Sequence, residues 1–95
     1  MTLRVLLPFL VAILLTACAE TVTDAKGYRW QKLNEPIPEK NWKYRFEVDA
    51  TIYCANKPAC VQINRKENTC TIFLPRQPPL WLVEHEEFHC EGWEH

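Results

Sequence analysis

The sequence predicts an α+β fold in which about three antiparallel strands are followed by a C-terminal helix. Three observations predict this fold. Segment 42–54 alternates apolar and polar side chains with the period of a β-strand. Segments 61–64 and 69–74 lie on either side of a polar turn, a pattern typical of a hairpin. Segment 80–90 contains no helix breaker and lies between a proline-rich stretch and Gly92.

Residues 1–17 are predicted to be an export signal and not part of the fold. Arg4 precedes the apolar run 5–15, which is too short to cross a bilayer core of about 30 Å as a helix. The run ends in Leu15-Thr16-Ala17-Cys18, which is an aliphatic residue, two small residues and a cysteine. This tetrapeptide resembles the lipobox of bacterial lipoproteins.

The lipobox resemblance implies cleavage before Cys18 and lipidation of that cysteine, which would anchor the chain stably in the membrane. The next residue is Ala19 and not aspartate. In a Gram-negative host, the resemblance therefore implies the periplasmic face of the outer membrane rather than the inner membrane. An ordinary signal peptide that happens to precede a cysteine is the alternative.

The rest of the chain is predicted to form a lipidated N-terminus and tether, 18–41, and one folded domain, 42–95. The tether is polar, contains a glycine and two prolines, and shows no sustained periodicity. Tyr28, Trp30 and Leu33 leave open that part of it packs on the domain. The charge is nearly balanced, with 11 Lys and Arg against 12 Asp and Glu, and no basic stripe predicts a nucleic-acid partner.

A domain this small is expected to need cross-links. With Cys18 assigned to lipid, four of the five cysteines remain, and in an exported chain they predict two disulfides with three possible pairings. We favour Cys54–Cys60, across a short turn-rich loop, and Cys70–Cys90, which would hold the helix on the last strand. A cysteine metal ligand is the alternative, but it would leave an odd thiol.

The strand predictions rest on short-range patterns. In segment 42–54 the apolar side chains of one face alternate almost without exception with polar ones, which predicts a half-buried strand. Segments 61–64 and 69–74 form a hairpin across the turn 65–68. Sheet order cannot be obtained from these patterns.

The predicted helix carries the candidate site. His85 and His89 are four residues apart, so their imidazoles lie on one face of the helix, one turn above the other. Glu86 lies about 80° from the midpoint of this pair and Glu87 about 180° from it, at 100° per residue. Only Glu86 can approach a metal held by the histidines, and Glu84 and Glu87 are expected to face solvent.

Gly92 is one of only two glycines in the chain and lies where the helix should end. A turn at this glycine would bring His95 back to the metal as a third ligand. Three protein ligands and one open position are typical of catalytic zinc, whereas structural zinc sites usually have four ligands. The residues therefore predict a Zn²⁺ site formed by His85, His89 and His95.

The string from His85 to His95, H-E-x-x-H-x-x-G-x-x-H, resembles the metzincin signature, and the domain resembles a minimal zincin with an active-site helix. It is also similar to small phage and bacterial zincin-like proteins. The resemblance implies a zinc metallopeptidase that hydrolyses an unidentified peptide or protein substrate in the cell envelope, with Glu86 as general base. It covers residues 85–95 closely and 69–84 loosely.

Two other interpretations remain open. The printed sequence ends at His95, before any Met-turn, and the free carboxylate of His95 could occupy the fourth coordination position. Either feature is compatible with a non-catalytic lipoprotein, of phage or mobile-element origin, in which zinc stabilises a structural or interaction domain. A metal-scavenging lipoprotein is the third interpretation.

Overall fold

The computed structural model describes residues 20–95, which contain six β-strands and one α-helix in two three-stranded sheets. In chain order the elements are β1 (Thr21–Thr23), β2 (Arg29–Lys32), β3 (Trp42–Glu47), β4 (Cys60–Asn64), β5 (Thr69–Pro75), α1 (Leu80–Cys90) and β6 (Trp93–Glu94). The α+β class predicted from the sequence is confirmed. The chain divides into two compact units, one holding the residues up to Lys32 together with His95, the other Leu33–Glu94.

The predicted signal, 1–17, and the predicted lipidation site Cys18 lie outside the described residues. Both therefore stay predictions. Within residues 20–95, no helix is long and apolar enough to cross a membrane.

Strands β1 and β2 form an antiparallel hairpin in the segment that was predicted to be a tether. Thr21 pairs with Gln31 and Thr23 with Arg29. The turn between them closes at Gly27, whose φ of +89° favours glycine over any residue with a side chain. No regular structure was predicted here from the sequence, because each strand is too short to show a period.

The larger unit is built on the central strand β5. Cys70, Ile72 and Leu74 point to one face of the sheet and are fully buried. Helix α1 covers this face, with Leu82 and Cys90 in the same hydrophobic cluster. The helix and the β4–β5 hairpin lie where the sequence predicted them, and the helix has the predicted bounds.

The prediction of three antiparallel strands is wrong for β3. Strand β4 is antiparallel to β5, but β3 lies on the other side of β5 and is parallel to it, with Tyr44 opposite Ile72. Parallel strands need a crossover connection of about a dozen residues or more. Here residues 48–59 carry the chain from β3 to β4 on the opposite edge of the sheet, and the β4–β5 hairpin then returns β5 parallel to β3. Segment 48–59 covers the second face of the sheet, where Tyr53 stacks on Phe73 at 5.1 Å.

The predicted half-buried strand over 42–54 is also too long. Strand β3 ends at Glu47, and the Asp49 carboxylate then accepts the backbone N–H of Thr51 and begins the short 3₁₀ turn Ala50–Ile52. Phe46 is 54% exposed and Val48 78% exposed. The alternation did not indicate burial, because β3 is an edge strand and the chain leaves the sheet after it.

Two disulfides link the four cysteines of the larger unit. They join Cys54 to Cys60 and Cys70 to Cys90, which is the pairing favoured from the sequence. Cys70 and Cys90 are both fully buried, and their bond connects the beginning of β5 to the last turn of α1. The end of the helix that precedes the predicted third ligand is thereby fixed to the sheet.

Candidate metal centre

Helix α1 places the first two histidines beside its buried face. Pro79 precedes the helix in an extended conformation, and its carbonyl accepts the N–H groups of Leu82 and Val83. The buried residues of the helix recur every four positions at Leu82, Glu86 and Cys90. His85 and His89 are half-buried next to this stripe, and their ring centroids are 5.3 Å apart. The one-face arrangement predicted from their spacing is confirmed.

Gly92 ends the helix and turns the chain towards His95. Its φ is +97°, and its N–H donates to the carbonyl of His89. Its own carbonyl accepts the N–H groups of Leu33 and Asn34, so the turn packs directly on an extended backbone segment. A Cβ at this position would lie 2.1 Å from the carbonyl oxygen of Asn34. Both the backbone conformation and the lack of space require glycine here.

The three predicted ligands come together. His85, His89 and His95 each present one ring nitrogen, and these nitrogens all lie within 4.8 Å of one another. Nitrogens bound to one tetrahedral zinc at about 2.1 Å lie roughly 3.4 Å apart. The imidazoles would therefore need to approach one another by no more than about 1.4 Å. The group is close enough to hold a metal ion.

The hydrogen bond of His89 tests whether its imidazole is prepared for a metal. Nδ1 of His89 lies 3.0 Å from the carbonyl oxygen of Trp93 and 3.5 Å from a carboxylate oxygen of Glu94. A carbonyl oxygen can only accept, so Nδ1 must carry the proton in this hydrogen bond. In the neutral imidazole this leaves the lone pair on Nε2. Metal-binding histidines commonly use their second nitrogen in this way, so the arrangement fits a metal ligand.

His95 contacts two aromatic rings of its own unit. Its centroid lies 4.8 Å from that of Tyr28 and 4.8 Å from that of Trp30, with the Trp30 ring perpendicular to it. Trp30 is 1% exposed, and its indole N–H donates to the Asp24 carboxylate at 2.9 Å. Tyr28, Trp30 and Asp24 were not predicted from the sequence to belong to the site.

A signal for the missed residues was present in the sequence. Thr21 to Thr23 are β-branched, Asp24 and Gly27 frame a turn, and Trp30 follows in a second short run. A turn of this composition between two short runs is typical of a hairpin. What the pattern could not show is that the hairpin contacts His95, which is 65 positions from Trp30.

Glu86 is the buried acid of the site. It is 5% exposed and is the one charged residue in the buried stripe of α1. Burial raises the pKa of its carboxyl to about 7, and the positive charge of Lys57 partly offsets this rise. A carboxyl group with this pKa can accept and release a proton near neutral pH.

The other two acids of the helix differ from each other. Glu84 is exposed, as the helical geometry predicted. Glu87 was expected to face solvent, but it is half-buried and its carboxylate accepts a hydrogen bond from the hydroxyl of Tyr44 on the edge strand β3. Burial, followed by the hydrogen bond to Glu87, raises the pKa of the Tyr44 hydroxyl above its usual range. Glu87 therefore binds to the sheet and does not belong to the metal centre.

A comparison with protein-family models, curated proteins and solved structures found no match to this chain. Its function must therefore be inferred from the histidine cluster, from Glu86 and from the elements that hold them.

Proposed function

We propose that this chain is a zinc-dependent metallopeptidase of the bacterial cell envelope. The observation that carries the proposal is the convergence of three imidazole nitrogens within 4.8 Å, next to a buried glutamate on the same helix. A buried carboxyl group without an apparent structural reason is a common property of catalytic sites. The H-E-x-x-H-x-x-G-x-x-H string gives these residues the roles of metal ligands and general base.

Zinc suits this set of donors. Three neutral imidazoles are borderline-soft ligands that zinc binds well, and Ca²⁺ or Mg²⁺ would prefer oxygen donors. The hydrogen bond from His89 Nδ1 to the Trp93 carbonyl favours the tautomer that a metal requires. Three protein ligands leave room for a further ligand, which is the arrangement of catalytic zinc.

The chemistry of peptide hydrolysis would be divided between the ion and Glu86. Bound zinc would supply a Lewis acid that acidifies water and polarises the carbonyl of the substrate. Glu86 would take the proton from the attacking water and pass it to the leaving amine. Its raised pKa matches this double role, since a base with a pKa near the working pH can both accept and donate.

Glu86→Gln separates catalysis from metal binding. The purified chain should hold one zinc, measured by mass spectrometry of the metal, and should cleave members of a mixed peptide library. Glu86→Gln should keep the zinc and lose about 100-fold or more of the cleavage rate. Glu84→Gln is the matched control, because Glu84 lies exposed on the same helix and should leave both properties unchanged. A zinc-loaded wild-type chain that cleaves no peptide would contradict the proposal.

The cellular part of the proposal rests on Leu15-Thr16-Ala17-Cys18. Lipidation of Cys18 would place the domain at the outer membrane, facing the periplasm. Mass spectrometry of the mature N-terminus should find an acylated Cys18, and Cys18→Ser should release the protein from the membrane fraction. A mature chain that begins at another residue would exclude this anchor.

A structural role for zinc is the second candidate function. The observation that favours it is the presence of two disulfides in a larger unit whose core is small. Such domains often depend on cross-links, and a metal is one of them. In this case His85→Ala would unfold the domain and abolish whatever effect the protein has on the cell, whereas Glu86→Gln would leave that effect unchanged.

A further inference from the structure

The third ligand of the proposed metal site differs from the other two in how it is supported. His85 and His89 are fixed by the helix that carries them, but His95 lies beyond the helix and beyond β6. It is exposed to solvent. A ligand of this kind can adopt many rotamers, and ordering it reduces the affinity for the metal unless other contacts have already restricted it.

Contacts that restrict His95 are present in its own unit. The imidazole lies 4.8 Å from the rings of both Tyr28 and Trp30, at interplanar angles of 56° and 90°. Aromatic rings prefer such tilted and edge-to-face arrangements, because the positive edge of one ring meets the negative face of the other. Contact with two differently oriented rings limits both the position and the rotation of the imidazole.

The two rings are themselves fixed by Asp24. One carboxylate oxygen of Asp24 accepts the backbone N–H groups of Lys26 and Tyr28, at 3.0 and 2.9 Å. The other oxygen accepts the indole N–H of Trp30 at 2.9 Å. A single carboxylate therefore closes the turn of the hairpin and sets the orientation of the buried indole.

We propose that the β1–β2 hairpin positions the third metal ligand: Asp24 orients Trp30, and Trp30 and Tyr28 hold the His95 imidazole for metal binding. These three residues are positioning residues, since they act through the His95 imidazole. The inference rests on the metal site in the proposed function and not on its peptidase activity. Residues that hold a ligand in this way typically change metal affinity by about 10- to 100-fold when they are replaced.

The test measures the affinity of the full chain for Zn²⁺ by chelator competition and the visible spectrum of the Co²⁺-substituted protein. Trp30→Leu should weaken zinc binding about 10- to 100-fold and change the cobalt bands. Tyr28→Leu should weaken binding roughly 3- to 10-fold, because one of the two rings remains. Tyr53→Leu is the matched control for Tyr28→Leu. Tyr53 is about as exposed as Tyr28 but stacks on Phe73, so its replacement should change neither the zinc affinity nor the cobalt spectrum.

Asp24→Asn is a second variant that tests the proposal even if Trp30→Leu unfolds the hairpin. The amide oxygen of asparagine can still accept the N–H groups of Lys26 and Tyr28, so the turn is retained. The amide NH₂ would face the indole N–H and cannot accept from it. Asp24→Asn should therefore keep the hairpin and weaken zinc binding by roughly 3- to 10-fold.

A double-mutant cycle with His95→Ala distinguishes positioning from general destabilisation. If the hairpin acts through His95, Trp30→Leu and Asp24→Asn should have no further effect on zinc affinity once His95 is removed. Equal effects in both backgrounds would overturn the proposal, and so would unchanged affinity in His95→Ala alone. A chain that binds zinc as expected but hydrolyses nothing would refute the peptidase activity and leave this inference intact.

Discussion

Glu86 occupies a position on α1 that helical geometry normally gives to an apolar side chain. It lies one turn from Leu82 and one turn from Cys90, at the centre of the buried stripe. Burying an ionised carboxylate is costly unless it has a partner, and the raised pKa is one expression of this cost. The stripe would be more stable with an uncharged residue here, which is a reason to connect Glu86 with function.

The pKa of Glu86 predicts how the metal-free protein responds to pH. The carboxyl binds its proton more tightly in the folded state, with a pKa of about 7 against an ordinary value of 4.5. The contribution of Glu86 to the free energy of unfolding should therefore be greatest below pH 4.5 and should fall as the pH rises through about 7. In chelator, Glu86→Gln should be more stable than wild type at pH 8 by about 2–3 kcal/mol, with little difference at pH 4.5.

Urea unfolding at the two pH values measures this difference. Glu84→Gln serves as the reference, because it keeps the three histidines and removes only an exposed acid. A pH dependence in Glu86→Gln identical to that of Glu84→Gln would contradict the prediction.

Among the elements, the turn at Gly92 connects the helix to the third histidine. Gly92→Ala would place a Cβ 2.1 Å from the Asn34 carbonyl oxygen and would force a side chain into a positive φ. The conformational term alone costs about 1–2 kcal/mol, and the clash with backbone adds to it. We expect a loss of about 3 kcal/mol or more in the free energy of unfolding.

Urea unfolding of Gly92→Ala checks this prediction, and Gly27→Ala is the matched control. Gly27 also has a positive φ, but a Cβ there would meet nothing within 4 Å. Gly27→Ala should therefore lose only the conformational term of about 1–2 kcal/mol. Equal losses in the two variants would show that the contact with Asn34 is unimportant.

The two disulfides should contribute unequally to stability. Cys70–Cys90 closes a loop with a sequence separation of 20, and Cys54–Cys60 one with a separation of 6. Chain entropy predicts about 3 kcal/mol for the longer loop and about 2 kcal/mol for the shorter one. Because Cys70 and Cys90 are fully buried, their replacement by alanine also leaves unfilled space in the core.

Paired alanine variants test the two disulfides by urea unfolding. Cys70→Ala with Cys90→Ala should be less stable than Cys54→Ala with Cys60→Ala by about 1 kcal/mol or more. The longer cross-link also fixes the helix end near His89, so its loss should weaken zinc binding more than loss of the shorter one. The opposite order of stability would mean that the short loop controls the fold.

The elements that could be predicted from the sequence are those formed by local contacts. Helix α1 has a proline-rich start and a glycine end, and the β4–β5 hairpin has a polar turn between two short runs. The direction of β3 could not be predicted, because its pairing with β5 depends on a crossover that covers Phe73 from the other side. The convergence of His85 and His89 follows from a spacing of four, but the contacts of His95 with Tyr28 and Trp30 join distant positions.

At the scale of the whole molecule, a metal would act as one more cross-link in a small protein. A ligand that binds only the folded state stabilises it in proportion to the logarithm of its concentration over the dissociation constant. The three histidines come from two turns of the helix and from the residue after β6, and their nitrogens lie within 4.8 Å of one another only when the chain is folded. Zinc binding and folding should therefore be coupled.

This coupling predicts that zinc raises the melting temperature of the wild-type chain. At a free concentration about 100 times the dissociation constant, the gain should be about 2.7 kcal/mol, which corresponds to roughly 10–20 °C in a domain of this size. The shift should vanish in His85→Ala and His89→Ala, because each removes a ligand, and persist in Glu86→Gln. Thermal unfolding followed by circular dichroism measures it. An equal shift in His85→Ala would mean that zinc binds elsewhere, since a site reduced to two ligands cannot retain the full affinity.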